Sequence, residues 1–133
     1  MRLRAKPLED WLERELQEQI FHSKTGAAVM CGWDRRLCYH TLRSRGSSAG
    51  FPDWVIVGRG RVIYVELKTE KAKPSDLQVL YLDELNRAGA EVYLVRPRDL
   101  DEFTQKILAK RERPLASLPD CTWMGGRALG ELL

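Results

Sequence analysis

Asp53, Glu66 and Lys68 are the residues of this 133-residue chain whose types and spacing could do chemistry together. Glu66 and Lys68 stand two apart in the β-rich run 61–69. Strand alternation puts them on one face with Val62 and Tyr64, while Ile63, Val65 and Leu67 take the other. Such a Glu-x-Lys pair is ordinary on a solvated edge strand, but on a core strand it costs desolvation unless something uses the charges. A second run, 54–57, follows Pro52-Asp53 and is separated from the first by Gly58-Arg59-Gly60, a hairpin signal. If the two runs pair about that turn, Asp53 comes within reach of Glu66 and Lys68. Paired carboxylates supply the hard oxygen ligands that Mg²⁺ prefers, and a lysine beside them can orient an attacking water and favour its deprotonated form.

The elements around these residues follow from periodicity. Pro7 suits a first helical turn, and Leu8, Leu12, Leu16 and Ile20 recur every four residues, predicting a helix over about 7–23. Residues 27–33 and 37–41 read as short strands, and 43–50 (RSRGSSAG) has loop composition. Leu77, Leu80, Tyr81 and Leu85 predict a helix over 75–88, stopped by Gly89. Residues 91–95 return as a strand. Asp99 followed by Glu102 resembles the start of a helix that fades near Arg111. The order predicts an α/β architecture, a small mixed β-sheet flanked by helices. Residues 1–112 are expected to form the domain. Residues 113–133, with Pro114, Pro119 and Gly125-Gly126, are expected to be a tail or packing arm.

Composition bounds the function classes. Hydrophobic residues at 44% and charged residues at 31% suit one wet-surfaced domain rather than a disordered chain. No apolar run approaches the ~18 residues of a membrane span, and Glu9 and Asp10 stand where a signal peptide would be greasy. Cys31, Cys38 and Cys121 are odd in number and form no CxxC pair, which argues against a disulfide framework or zinc site and suits a reducing cytoplasm. The net charge of +3 is segregated: residues 34–61 hold six arginines against two aspartates, a local +4, and the rest sums to −1. A basic segment around an acidic pocket suits a phosphate-bearing partner.

Gly50-Phe51-Pro52-Asp53, the hairpin, and Val65-Glu66-Leu67-Lys68 together resemble the PD…ExK motif of PD-(D/E)xK nucleases. The fuller stretch, GFPDWVIVGRGRVIYVELKTE through KPSDLQ to AGAEVYLVRP, is similar to the VRR-NUC branch of that superfamily, and the likeness covers about residues 8–108. It implies a restriction-endonuclease-like core and Mg²⁺-dependent phosphodiester hydrolysis leaving a 5′-phosphate and a 3′-hydroxyl, with Mn²⁺ able to substitute. Asp53 and Glu66 would bind the metal with the backbone carbonyl of Leu67, and Lys68 would be the catalytic lysine. Glu13, in the pattern Glu13-x-x-Leu16-Gln17-Glu18-Gln19-Ile20, would be the ligand on the first helix. Glu9 is the alternative, and a surface ion pair is the plain reading of either. Gln78 matches a glutamine that supports the site, yet Ser75-x-x-Gln78 is also a capping box. The loop residues Arg43, Ser44, Arg45, Ser47 and Ser48 would contact DNA phosphates, extended by Arg35, Arg36, Arg59 and Arg61. His40 would contact a phosphate or base, or simply pack.

Stand-alone relatives from phages and bacteria look like Holliday-junction resolvases and often act as homodimers, which implies branched DNA as substrate and, for a phage-encoded chain, the bacterial host's cytoplasm. Leu115, Leu118, Trp123, Met124, Leu129, Leu132 and Leu133 of the tail are expected to pack on the domain or across a dimer. A nucleic-acid-binding module without activity, and an adaptor whose Glu-x-Lys is a surface pair, are the competing readings.

Overall fold

The computed structural model describes residues 6–41 and 49–112. Its elements are α1 (Glu13–Phe21), α2 (Ala27–Met30), β1 (Cys38–His40), β2 (Trp54–Gly58), β3 (Arg61–Leu67), α3 (Asp76–Arg87), β4 (Glu91–Val95) and α4 (Leu100–Phe103). The four strands form one sheet in the order β1-β2-β3-β4. The first two pairings are antiparallel, and β3 and β4 run parallel, joined by the α3 crossover. This is the mixed α/β sheet flanked by helices that the element order predicts.

Two faces of the sheet are covered differently. Trp54, Ile56, Ile63, Val65, Tyr93 and Val95 pack with Leu16, Ile20 and Phe21 of α1 and with Leu100 and Phe103 of α4. On the opposite face, Leu82 and Leu85 of α3 cover Tyr64, Val92 and Leu94. The hairpin joining β2 to β3 turns in two residues, with Gly58 opposite Arg61. Arg59 (φ 54°) and Gly60 (φ 72°) both take positive φ, the mirror-image turn that matches the twist of paired strands.

Three local expectations are corrected. Residues 27–33 are not a strand: Ala27–Met30 makes one helical turn and Gly32 (φ 94°) reverses the chain. The apolar side chains are spent on helical packing there, with Ala28 buried and the Trp33 amide donating to the Ala28 carbonyl. The first helix starts only at Glu13, because Glu15 accepts from the Leu12 amide at 2.8 Å and Leu8–Asp10 form a separate 3₁₀ turn. Trp11 turns into the core in that break, whereas Leu8 and Leu12 stay exposed. The last helix is broken into a 3₁₀ turn (Pro97–Asp99), α4 and a π-helical turn (Thr104–Leu108).

Cys31 and Cys38 are free thiols, and Cys121 lies outside the described residues. No described helix is long and apolar enough to cross a membrane. The tail assignment for 113–133 also lies outside the described residues.

Candidate active site

Asp53 is delivered by the entry into β2. The Thr41 amide donates to the Asp53 carbonyl at 2.8 Å and the Thr41 hydroxyl to the Pro52 carbonyl at 2.5 Å, so the end of β1 fixes this segment. Gly50 lets the same segment lie against α3, since a Cβ there would stand 2.9 Å from the Leu77 backbone. Trp54 is clamped between Phe21 (ring centroids 3.8 Å, 7° between planes) and His40 (4.5 Å, 3°), and its indole N–H donates to Gln17 Oε1 at 3.3 Å. The backbone next to Asp53 is therefore held by an aromatic stack.

The hairpin register then does what the sequence requires. Trp54 pairs with Val65, which sets Asp53 across from Glu66 and Leu67. Asp53 Oδ2 accepts from the Leu67 amide at 2.9 Å. Lys68 Nζ lies 3.7 Å from Glu66 Oε2. The Lys68 amide donates to the Val95 carbonyl at 3.1 Å, carrying the β3–β4 ladder one residue beyond the strand.

Glu66 is 1% exposed, extreme for a carboxylate. Oε2 accepts from Gln78 Nε2 at 2.9 Å, while Oε1 has no hydrogen-bond partner among the described residues. Burial, then the neighbouring carboxylates of Asp53 and Glu13, push the Glu66 carboxyl up to about 8, with Lys68 pulling the other way. A buried carboxylate with one unsatisfied oxygen and two more acidic groups around it calls for a proton or a cation.

Gln78 makes both sets of contacts that its spacing allows. Its Oε1 accepts from the Ser75 amide at 2.8 Å and its own amide donates to Ser75 Oγ at 3.1 Å, closing the capping box of α3. Its Nε2 is left for Glu66. Of the two first-helix candidates, Glu13, at the start of α1, is the one whose charge bears on Glu66.

Among the described arginines of the basic segment, Arg61 is withdrawn from the surface, while Arg35, Arg36 and Arg59 keep some exposure but make contacts within the chain. Arg61 is buried and makes a two-pronged ion pair with Glu91 (2.8 Å on each side), and it also donates to the Ile107 and Lys110 carbonyls. Arg59 donates to the carbonyls of Cys31, Leu108 and Lys110 and stacks on Trp33. Both arginines tie the C-terminal elements to the hairpin. Arg35 donates to the Phe21 and Cys38 carbonyls. Arg36 pairs with Asp34, holding that carboxyl at about 2. Arg43, Ser44, Arg45, Ser47 and Ser48 lie outside the described residues, although Thr41 at one end of their loop is bonded beside Asp53. His40 pairs with Trp54 and so shares the Val65 face, opposite Glu66.

A cluster that sequence reasoning missed borders the site. Phe51 meets Tyr64 and Tyr81 edge-on, at 5.9 and 5.5 Å. These rings stand two residues before Asp53, two before Glu66 and three after Gln78. Their common face was legible in the spacing from each site residue, but the loop conformation that brings Phe51 there was not.

Among the described residues, no group of three or more His, Cys, Asp or Glu side chains is placed to hold a metal ion. Mg²⁺ does not require such a group, since it commonly takes one or two carboxylates and completes its shell with water and substrate oxygens. The donor set of Asp53 and Glu66, with Glu66 Oε1 unsatisfied, fits such an ion.

A family model described as the VRR-NUC domain matches residues 4–99, which include every residue discussed for the site from Glu13 to Gln78. The chain matches no curated protein and no solved structure.

Proposed function

The chain belongs to the VRR-NUC domain family, a nuclease-type domain on a restriction-endonuclease-like fold, and from that premise we propose that it is a divalent-metal-dependent DNA endonuclease of the PD-(D/E)xK type, selective for branched or junction DNA. The observation that carries this reading is the buried Glu66, shared between Gln78 and Lys68 on one oxygen and unsatisfied on the other, across the hairpin from Asp53.

Asp53, Glu66, the Leu67 carbonyl and Glu13 would hold the ion. The chemistry that Mg²⁺ or Mn²⁺ would supply there is positive charge beside the phosphoryl oxygen on which charge develops. Gln78, donating to Oε2, holds the Glu66 carboxylate in place and leaves Oε1 uncommitted. Lys68, tied to Glu66, orients the attacking water for in-line displacement and favours its deprotonated form. The water oxygen bonds to phosphorus as the P–O3′ bond breaks, and the leaving 3′-oxygen takes a proton from solvent, giving the 5′-phosphate and 3′-hydroxyl ends.

Arg43, Ser44, Arg45, Ser47 and Ser48 are the proposed phosphate contacts, on a loop that starts beside Asp53. His40 is proposed to meet the DNA from the other sheet face. Cutting both strands of a junction takes two active sites, which a homodimer supplies by symmetry. The free thiols suit a reducing cytoplasm, that of the bacterial host for a phage-encoded chain.

The test is a panel of labelled four-way junction, splayed-arm and linear duplex DNA incubated with Mg²⁺. Preferred cleavage of the branched substrates is expected. Cleavage confined to linear duplex would remove the junction preference while leaving the nuclease.

A further inference from the structure

One half of the sheet has no cover among the described residues. Strand register places Tyr39, Val55, Val57, Val62 and Tyr64 on a single face. Across β4 that face is sealed by α3, leaving Val92 and Leu94 only 1% and 3% exposed. Across β1, β2 and the start of β3 it is open: Tyr39 is 65% exposed, Val57 40% and Val62 44%. A groove of ≈ 280 Å³ that includes Gly60, Val62, Tyr64, Gly89 and Ala90 in its lining continues the strip toward β4. A contiguous β-branched and aromatic strip of this kind needs an occupant.

The chain itself carries one. Arg61 donates to the Lys110 carbonyl at 2.8 Å, so the described chain ends beside the β2–β3 turn, where Val57 and Val62 stand opposite each other. Beyond Glu112 come 21 residues, 113–133, that include Leu115, Leu118, Trp123, Met124, Leu129, Leu132 and Leu133. Their charges, Arg113, Asp120, Arg127 and Glu131, cancel, so nothing opposes an apolar surface. At ~3.3 Å per extended residue, even a few of them reach around a two-residue turn.

We infer that residues 113–133 of the same chain cover the open half-sheet formed by Tyr39, Val57 and Val62. The segment completes the second layer that α3 begins, and the covered strip runs through Val55 and Tyr64 toward Asp53 and Glu66. This does not rest on the nuclease reading.

The test places the photo-crosslinking residue p-benzoylphenylalanine at position 62 of the full chain, an exposed position that leaves the core intact. After irradiation and digestion, the expected cross-link joins position 62 to a peptide within 113–133 of the same molecule. A cross-link between two copies would assign the face to a second chain and overturn the inference, as would the absence of any cross-link to 113–133. In parallel, Val62→Glu is expected to speed tryptic cleavage after Arg127 several-fold by releasing the segment. An unchanged cleavage rate would also overturn it.

Discussion

Gln78 Nε2 donates to Glu66 Oε2 at 2.9 Å, while Gln78 Oε1 accepts from the amide of Ser75. One side chain thus starts a helix and orients a buried carboxylate, and the two duties use different atoms. They can be separated by mutation.

Ser75→Ala removes one half of the capping box and leaves the Glu66 contact. It is expected to cost about 1 kcal/mol of stability with cleavage nearly intact. Gln78→Ala removes both duties, and its cleavage is expected to fall far more than its thermal midpoint explains. Measuring both variants for midpoint and rate decides the matter. Equal loss of cleavage in the two would show that Gln78 acts through the helix alone.

Glu66 makes stability depend on pH. Its folded carboxyl is pushed up to about 8, above its ordinary 4.5, so the folded state binds the proton more tightly than the unfolded state does. In EDTA the protein is therefore expected to be most stable below about pH 4.5 as far as this group is concerned, and to lose that contribution as pH rises toward 8. The loss is on the order of a few kcal/mol, since each tenfold difference in proton affinity between the folded and unfolded states is worth about 1.4 kcal/mol. Glu66→Gln is expected to flatten the profile, and Mg²⁺ is expected to restore wild-type stability near pH 8. Thermal midpoints across pH 4–9, with and without Mg²⁺, test this. A profile unchanged by Glu66→Gln would contradict it.

Arg61→Ala would leave Glu91 charged and buried, a change that typically costs about 3–5 kcal/mol. The Tyr93 hydroxyl, which donates to Glu91 at 3.1 Å, compensates only in part. Destabilisation without any change in the salt dependence of DNA binding is expected, because Arg61 faces no solvent. A shallower salt slope in denaturation-corrected binding data would return Arg61 to the DNA surface.

The juxtaposition of the candidate site residues was more legible in the sequence than the framework around them. Asp53, Glu66 and Lys68 sit within sixteen residues, and a two-residue turn leaves one register that satisfies both strands, so local pattern sufficed to bring them together. Gln78 was legible as cap and as neighbour because the same spacing serves both. The Arg61–Glu91 pair was hidden. It depends on the parallel β3–β4 register, set across a 30-residue separation by helix packing rather than by local pattern. For the same reason the arginine count hid that Arg61 is buried, held by Glu91 and by the carbonyls of Ile107 and Lys110. Residues 27–33 misled because a short apolar run carries no period, and Ala28 and Trp33 meet the core from a helical turn as readily as from a strand.

The central claim is that Asp53, Glu66 and Lys68 form one metal-dependent hydrolytic centre. It is tested most directly by the cleavage rate of a labelled four-way junction in Mg²⁺, compared with EDTA and with Asp53→Ala and Lys68→Ala, each variant first shown to be folded. The account predicts cleavage by the wild type in Mg²⁺ and a loss of about 10²-fold or more in EDTA and in each variant. Cleavage that persists in EDTA, or at wild-type rate in both variants, would contradict it.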